Sequence, residues 1–205
     1  MNSSLRSLTD LALAAVFAAL IIVLAFVSIP VGTAGVPIVL QNAAFILTGL
    51  VLGARRGLLT VLIFFVLGLA LPVLAGGRSI TAALSGPTVG YIVGYIVSTA
   101  LAGLLAYHLR GNRYLALSVA AVVALASQYL CGAVGLILRA DMTVGAALAA
   151  QGPFLLIDAL KLVVVVLAAA AIHTALPHLL RPAASPAASA APASTASTVA
   201  PGGHA

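Results

Sequence analysis

The 205-residue chain is 63% hydrophobic and only 6% charged, and its mean hydropathy is +1.27. A soluble domain carries about 25% charged residues, so this composition excludes a fold solvated by water and indicates one embedded in a bilayer. The net charge of +6 is spread along the chain without a basic stripe or a Lys-rich arm, which excludes nucleic acid as a partner. The apolar runs are too long for barrel strands, so we predict an all-α membrane protein whose helices form a bundle in the lipid.

Six apolar runs follow one another, separated by short segments rich in Gly, Pro or Arg. They cover roughly residues 10–29, 38–54, 57–74, 88–107, 114–137 and 153–176. The N-terminal stretch enters the first run without a clear cleavage site, so we interpret it as a membrane helix and not as a signal peptide. Six spans place both termini on one side. Arginines 6, 55, 56, 110, 113 and 181 fall on that side, against Arg78 and Arg139 on the other, which predicts cytoplasmic termini.

The chain divides into two parts by composition. Residues 1–180 are predicted to form the six-helix membrane-embedded domain. Residues 181–205 consist, after Arg181, almost entirely of Ala, Pro, Ser, Thr, Val and Gly. Such a composition cannot bury a core, so we predict a disordered cytoplasmic tail.

Small residues recur at helical spacing in the first run, where Ala14 and Ala18, and likewise Ala15 and Ala19, lie four positions apart. This spacing gives a smooth helix face that another membrane helix can approach closely. Because alanine is abundant throughout the chain, the spacing alone also fits ordinary composition.

The sixth run contains two charges, Asp158 and Lys161. Lys161 is the only lysine, and Asp158 is one of three acidic residues. Charges inside an apolar span are costly and are typical of functional sites. Residues three apart share a helix face, so Gln151 and Phe154 join the pair on a face predicted to point into the bundle, in the outer half of the membrane.

Three interpretations of this pair differ in what the charges do. A structural ion pair would gain little over apolar packing, and a proton relay lacks a second intramembrane acid or histidine on its path. A ligand pocket fits better, because a lysine suits a carboxylate and an aspartate accepts N–H donors. Other polar residues near the same end complete the set of candidates, of which each is weak alone: Gln41, Asn42, Arg78, Thr88, Tyr91, Gln128 and Tyr129.

Catalytic and ATP-binding motifs are absent from the sequence. It contains no Gly-x-x-x-x-Gly-Lys-Ser/Thr and no Gly-x-Ser-x-Gly, and without glutamate it cannot contain His-Glu-x-x-His. We therefore expect no enzyme activity, no metal site and no cofactor.

Five separated segments together resemble the BioY family, the biotin-specific substrate-binding (S) component of energy-coupling-factor (ECF) transporters. The resemblance covers about residues 8–177. Its specific elements are Gly-Pro-Thr-Val-Gly-Tyr at 86–91 and Pro153-Phe154 followed by Asp158 and Lys161. Weaker elements lie at 36–41, 50–57 and 67–77. The chain departs from the family pattern at Val39, at Pro72-Val73 and in lacking a tryptophan in the fifth run.

The resemblance implies a six-helix bundle in the prokaryotic cell membrane that captures biotin at the external face and delivers it to the cytoplasm. Biotin is then a transported ligand, with Asp158 and Lys161 as the polar core of its pocket; Lys161 meets the carboxylate and Asp158 a ureido N–H, or the reverse. By the same resemblance, Ala14, Ala15, Ala18 and Ala19 form the surface that docks on a coupling module of a transmembrane protein and ATPase subunits. A form that acts alone could self-associate there. The alternatives are an S component for another water-soluble vitamin, or a proton-coupled small-molecule transporter.

Overall fold

The computed structural model describes residues 3–29 and 38–177. The predicted tail, residues 181–205, lies outside the described residues. The described part is mostly helical, with one short antiparallel strand pair. Its elements are α1 (Ser3–Ala25), β1 (Ser28–Ile29), β2 (Ile38–Val39), α2 (Gln41–Ala70), α3 (Ile80–Ser85), α4 (Val89–His108), α5 (Arg113–Ala140), α6 (Val144–Ala149) and α7 (Gly152–Ala175).

Five helical segments in the described part are long and apolar enough to cross a bilayer. They are Ser7–Ala25, Gln41–Ala70, Val89–His108, Arg113–Ala140 and Val144–Ala175, the last of which joins α6 to α7. The sequence predicted two separate spans at 38–54 and 57–74. In the structure most of both belongs to the single element α2. The short helices α3 and α6 were not predicted.

Helix α2 doubles back on itself at Gly53. This residue has φ 77° and ψ 172°, a backbone conformation that glycine alone adopts readily. The rings of Phe45 and Phe64 lie 5.1 Å apart, whereas 19 residues of straight helix would separate them by about 28 Å. The Gln41 side chain likewise reaches the Val73 carbonyl at 2.8 Å. The two halves of α2 therefore pack against each other, antiparallel and without an intervening loop.

Glycines let α4 approach its neighbours closely. A Cβ atom at Gly103 would lie 2.2 Å from the backbone nitrogen of Ala54 in α2. One at Gly90 would lie 2.0 Å from the Cys131 carbonyl oxygen in α5, and one at Gly135 would lie 2.5 Å from the Gly90 nitrogen. Close approach through small residues is a main source of helix association in membranes, and here it fixes α4 between α2 and α5.

Polar contacts tie together the bundle end where α4 finishes and α5 begins. The Tyr107 hydroxyl donates to the Val51 carbonyl at 2.6 Å, next to the helix break at Gly53. Arg113 donates to the Ala106 carbonyl at 2.8 Å and contacts the ring of His173 in α7. Four helices thus meet at this end. The first turns of α2, α4 and α7 meet at the opposite end, which holds the site described next.

Candidate ligand site

The Asp158–Lys161 pair lies near the start of α7 and faces the inside of the bundle. Lys161 Nζ is 2.5 Å from Asp158 Oδ1. Asp158 is 3% exposed and Lys161 9% exposed, and Gln151 and Phe154 are also buried. The predicted inward face of this helix is therefore confirmed.

A closed set of hydrogen bonds surrounds the pair. Asp158 Oδ2 accepts from the Tyr129 hydroxyl at 2.8 Å and from Asn42 Nδ2 at 3.2 Å. Lys161 Nζ donates to the Val39 carbonyl at 2.6 Å and to Asn42 Oδ1 at 3.3 Å, as well as to Asp158. An ammonium has three N–H donors, so all those of Lys161 have acceptors within the protein.

A cavity opens beside this network. The empty space within it and at its open mouth amounts to about 620 Å³. Polar groups, aromatic rings and aliphatic side chains share its wall: Ile38, Val39, Gln41, Asn42, Leu74, Ala75, Arg78, Thr88, Tyr91, Ile92, Tyr95, Gln128, Tyr129, Phe154, Asp158 and Lys161. A concave, mostly apolar site with a few convergent polar groups is typical of a small-molecule pocket.

The predicted ligand residues Gln41, Arg78, Thr88 and Tyr91 all line this cavity. Gln41 donates to the Val73 carbonyl and so links α2 to the segment that follows it. Arg78 donates to Thr88 Oγ1 at 3.4 Å, and the Tyr91 hydroxyl donates to Gln151 Oε1 at 2.7 Å. These side chains therefore line the same cavity as the charged pair.

Arg78 differs from Lys161 in its partners. Its contacts are the long bonds to Thr88 and to the Ala75 carbonyl, each 3.4 Å. Within the described residues, the ion pairs are Arg56–Asp10 and Lys161–Asp158, so Arg78 lines the cavity without a carboxylate from that part of the chain.

Two residues at which the chain departs from the family pattern, Val39 and Val73, contribute to the site through their backbone carbonyls. Val39 supplies its carbonyl to Lys161, and Val73 supplies its carbonyl to Gln41. A backbone oxygen is present whatever the side chain, so these substitutions leave both hydrogen bonds intact.

The site also uses residues that sequence reasoning rated as weak or did not name. Asn42 bridges the charged pair, and Gln128 Nε2 donates to the Asn42 carbonyl at 3.2 Å and to Ser98 Oγ at 2.8 Å. Tyr95, which was not named, lines the cavity and stacks on Phe45 with ring centroids 4.4 Å apart. Its spacing of four residues from Tyr91 is the signal that would have placed both on one face.

The predicted partner face of α1 is divided by the fold. Ala14 and Ala18 are fully buried, and they pack inside the chain's own bundle. Ala15 and Ala19 are exposed. Only the second pair is accessible to another protein in this arrangement.

No three His, Cys, Asp or Glu side chains come together in residues 3–29 and 38–177 in a way that could hold a metal ion.

A bundle of apolar helices around a mostly apolar cavity with a few polar groups defines an integral membrane protein. The profile of the BioY family matches residues 1–178. The chain belongs to the BioY family.

Relatives and a solved structure agree with this assignment. The chain is 45% identical over 103 residues to the biotin transporter BioY of Rhodobacter capsulatus and 43% identical over 105 residues to that of Rhizobium etli. These matches cover 49% and 50% of this chain and 54% and 56% of the relatives, so the chain spans about half the length of the curated relatives it matches. The fold is similar to the crystal structure of the S-component for biotin from an ECF-type ABC transporter. That match has a TM-score of 0.79 and 26% identity, and it covers 85% of this chain and 95% of the other.

Proposed function

We propose that this protein takes up biotin, as the membrane substrate-binding component that captures the vitamin at the external face and delivers it to the cytoplasm. The observation that carries the proposal is the buried Asp158–Lys161 pair on the wall of a mostly apolar cavity. Biotin has a cyclic urea with N–H donors and a carbonyl acceptor, an apolar ring and chain, and a terminal carboxylate. The cavity offers a partner for each part.

The two polar ends of biotin are assigned by the chemistry of the charged residues that line the cavity. Asp158 and Lys161 lie together, so they suit the N–H and C=O groups of one urea. Arg78 lines the same cavity and makes only long bonds to neutral groups, and a guanidinium binds a carboxylate through two N–H groups. We therefore assign the carboxylate to Arg78, in place of the sequence-based alternatives, in which Lys161 meets the carboxylate and Asp158 a ureido N–H, or the reverse.

The orientation in the membrane follows from α2. Counting its two antiparallel halves separately gives six crossings, which returns both termini to one side. Arg55, Arg56, Arg110 and Arg113 belong to the end away from the cavity, and an excess of arginine favours the cytoplasm. The cavity then faces outward, in the inner membrane of a prokaryotic cell.

An ATP-driven coupling module is the partner that fits this role, because the chain carries no nucleotide-binding motif. The similar solved structure is the S-component of an ECF-type ABC transporter, and the exposed Ala15 and Ala19 leave a narrow smooth strip on α1 for a helix to pack against. Self-association through the same strip is the arrangement for a protein that acts alone.

Ligand selectivity tests the proposed function. The purified full chain in detergent is titrated with biotin, thiamine and riboflavin, and the unfolding temperature is followed by intrinsic fluorescence. A ligand that binds only the folded state raises this temperature. We expect biotin alone to raise it; a larger rise with thiamine or riboflavin would contradict the assignment.

A further inference from the structure

Asn42 makes an unusual pair of contacts for a residue at a pocket wall. Its amide nitrogen donates to Asp158 Oδ2 and its amide oxygen accepts from Lys161 Nζ. The opposite amide orientation would turn N–H groups toward the ammonium and the oxygen toward the carboxylate, so the charges fix the orientation. One planar carboxamide thus bridges both members of the pair.

This pattern is the one that a urea would make. A urea also presents an N–H donor and a C=O acceptor from one planar group, and both hydrogen bonds would fall on the same two atoms. Two such groups cannot occupy these positions at once. The assignment of a urea to this end of the cavity rests on the proposed function.

Bond lengths single out Asn42 as the replaceable member of the network. Its two bonds measure 3.2 and 3.3 Å, whereas the bonds of Asp158 and Lys161 to Tyr129, Val39 and each other measure between 2.5 and 2.8 Å. Shorter charge-assisted bonds are the stronger ones. Asn42 is also less buried than the pair and lines the cavity directly.

We propose that the Asn42 carboxamide is an internal stand-in for the ligand, which keeps the charged pair satisfied in the empty site and is displaced by the urea group of the incoming molecule. Displacement leaves Asp158 and Lys161 fully bonded in both states. It also frees a side chain in the first turn of α2, whose backbone Gln128 holds from α5. Asn42 then acts as a positioning residue that competes with the ligand, and removing it makes binding tighter.

The test measures Kd by isothermal titration calorimetry for wild type, Asn42→Ala and Asn42→Ser. A serine hydroxyl can both donate and accept, but it ends one bond short of the Asn42 amide atoms that reach Asp158 and Lys161. Asn112→Ala is the matched control, since Asn112 only caps α5 at the opposite end. The probes are biotin and 2-imidazolidinone, a cyclic urea without the acid chain. We expect Kd for both probes to fall about three- to tenfold in both Asn42 variants, because two weak competing hydrogen bonds are lost, and to stay unchanged in the control.

Each outcome bears on a separate claim. An unchanged or higher Kd in both Asn42 variants, with biotin bound by wild type, overturns the stand-in and leaves the proposed function intact. Tighter binding of 2-imidazolidinone without any binding of biotin supports the stand-in and contradicts the proposed function. Absence of binding of both probes to every protein overturns both.

Discussion

We expect the removal of either charge of the Asp158–Lys161 pair to weaken biotin binding strongly and to destabilise the fold. In Asp158→Ala, Lys161 stays buried without its ion-pair partner; in Lys161→Ala the same holds for Asp158. Breaking a buried pair by removing one member costs about 3–5 kcal/mol. The lost charge-assisted hydrogen bonds to the ligand, about 1.5–3 kcal/mol each, weaken binding by about a hundredfold or more. Chemical unfolding and calorimetric titration measure the two effects.

The double variant Asp158→Leu/Lys161→Met separates binding from folding. Replacing a buried ion pair by apolar residues of similar size is often neutral for stability or even favourable. We expect the double variant to unfold near the wild-type midpoint and still to bind no biotin. If it binds biotin as tightly as wild type, the pair is only structural and the ligand lies elsewhere.

Adding side-chain atoms at Gly90 separates α4 from α5. A Cβ there would lie 2.0 Å from the Cys131 carbonyl oxygen and 2.7 Å from the Gly135 nitrogen. Both are backbone atoms, which cannot rotate away as a flexible side chain can. Overpacking a tight contact costs about 1–3 kcal/mol, and more where the backbone must move. Gly90→Val is therefore expected to lower the unfolding midpoint strongly and to disrupt the cavity, because Tyr91 and Tyr129 lie on these two helices.

Gly145→Val is the matched control for this prediction. Gly145 lies in the short helix α6, and among the described residues no atom outside its own stretch of helix lies within 4 Å of where its Cβ would be. We expect its unfolding midpoint and biotin affinity to stay near wild type. Equal losses of stability and of biotin affinity in Gly90→Val and Gly145→Val would show that the effect comes from the residue type and not from the contact between α4 and α5.

The sequence predicts the charged pair well because a lysine and an aspartate are rare and costly within an apolar helix. Spacing alone then places Gln151 and Phe154 on their face, and the structure buries all four. The candidates Gln41, Arg78, Thr88 and Tyr91 also reach the same cavity. Charged and polar residues that are disfavoured in lipid can therefore be recognised from the sequence alone.

Other features depend on tertiary contacts that no local pattern records. The reversal of α2 rests on one glycine conformation at Gly53, where the sequence reads as two spans with a loop between them. The bridging role of Asn42 exists only because α2 and α7 begin at the same end of the bundle. Val39 contacts Lys161 through its backbone carbonyl, so the type of side chain at this position does not reveal the contact. The small-residue spacing of α1 likewise does not tell which pair, Ala14 and Ala18 or Ala15 and Ala19, the bundle buries.

We propose that biotin lies in this cavity with its urea at the charged pair and its carboxylate at Arg78. A thermodynamic cycle tests this placement directly, since biotinamide replaces the carboxylate of biotin by a neutral carboxamide of nearly the same size. Arg139→Ala serves as the control, because Arg139 is exposed and does not line the cavity.

The measurement is the Kd of biotin and of biotinamide for wild type, Arg78→Ala and Arg139→Ala by calorimetric titration. We expect Arg78→Ala to raise the Kd of biotin about ten- to hundredfold, because one charge-assisted contact is lost. The Kd of biotinamide should stay almost unchanged, so that the variant no longer prefers biotin over biotinamide. Arg139→Ala should match wild type with both ligands. If Arg78→Ala weakens the binding of biotin and of biotinamide equally, or weakens neither, the biotin carboxylate does not lie at Arg78.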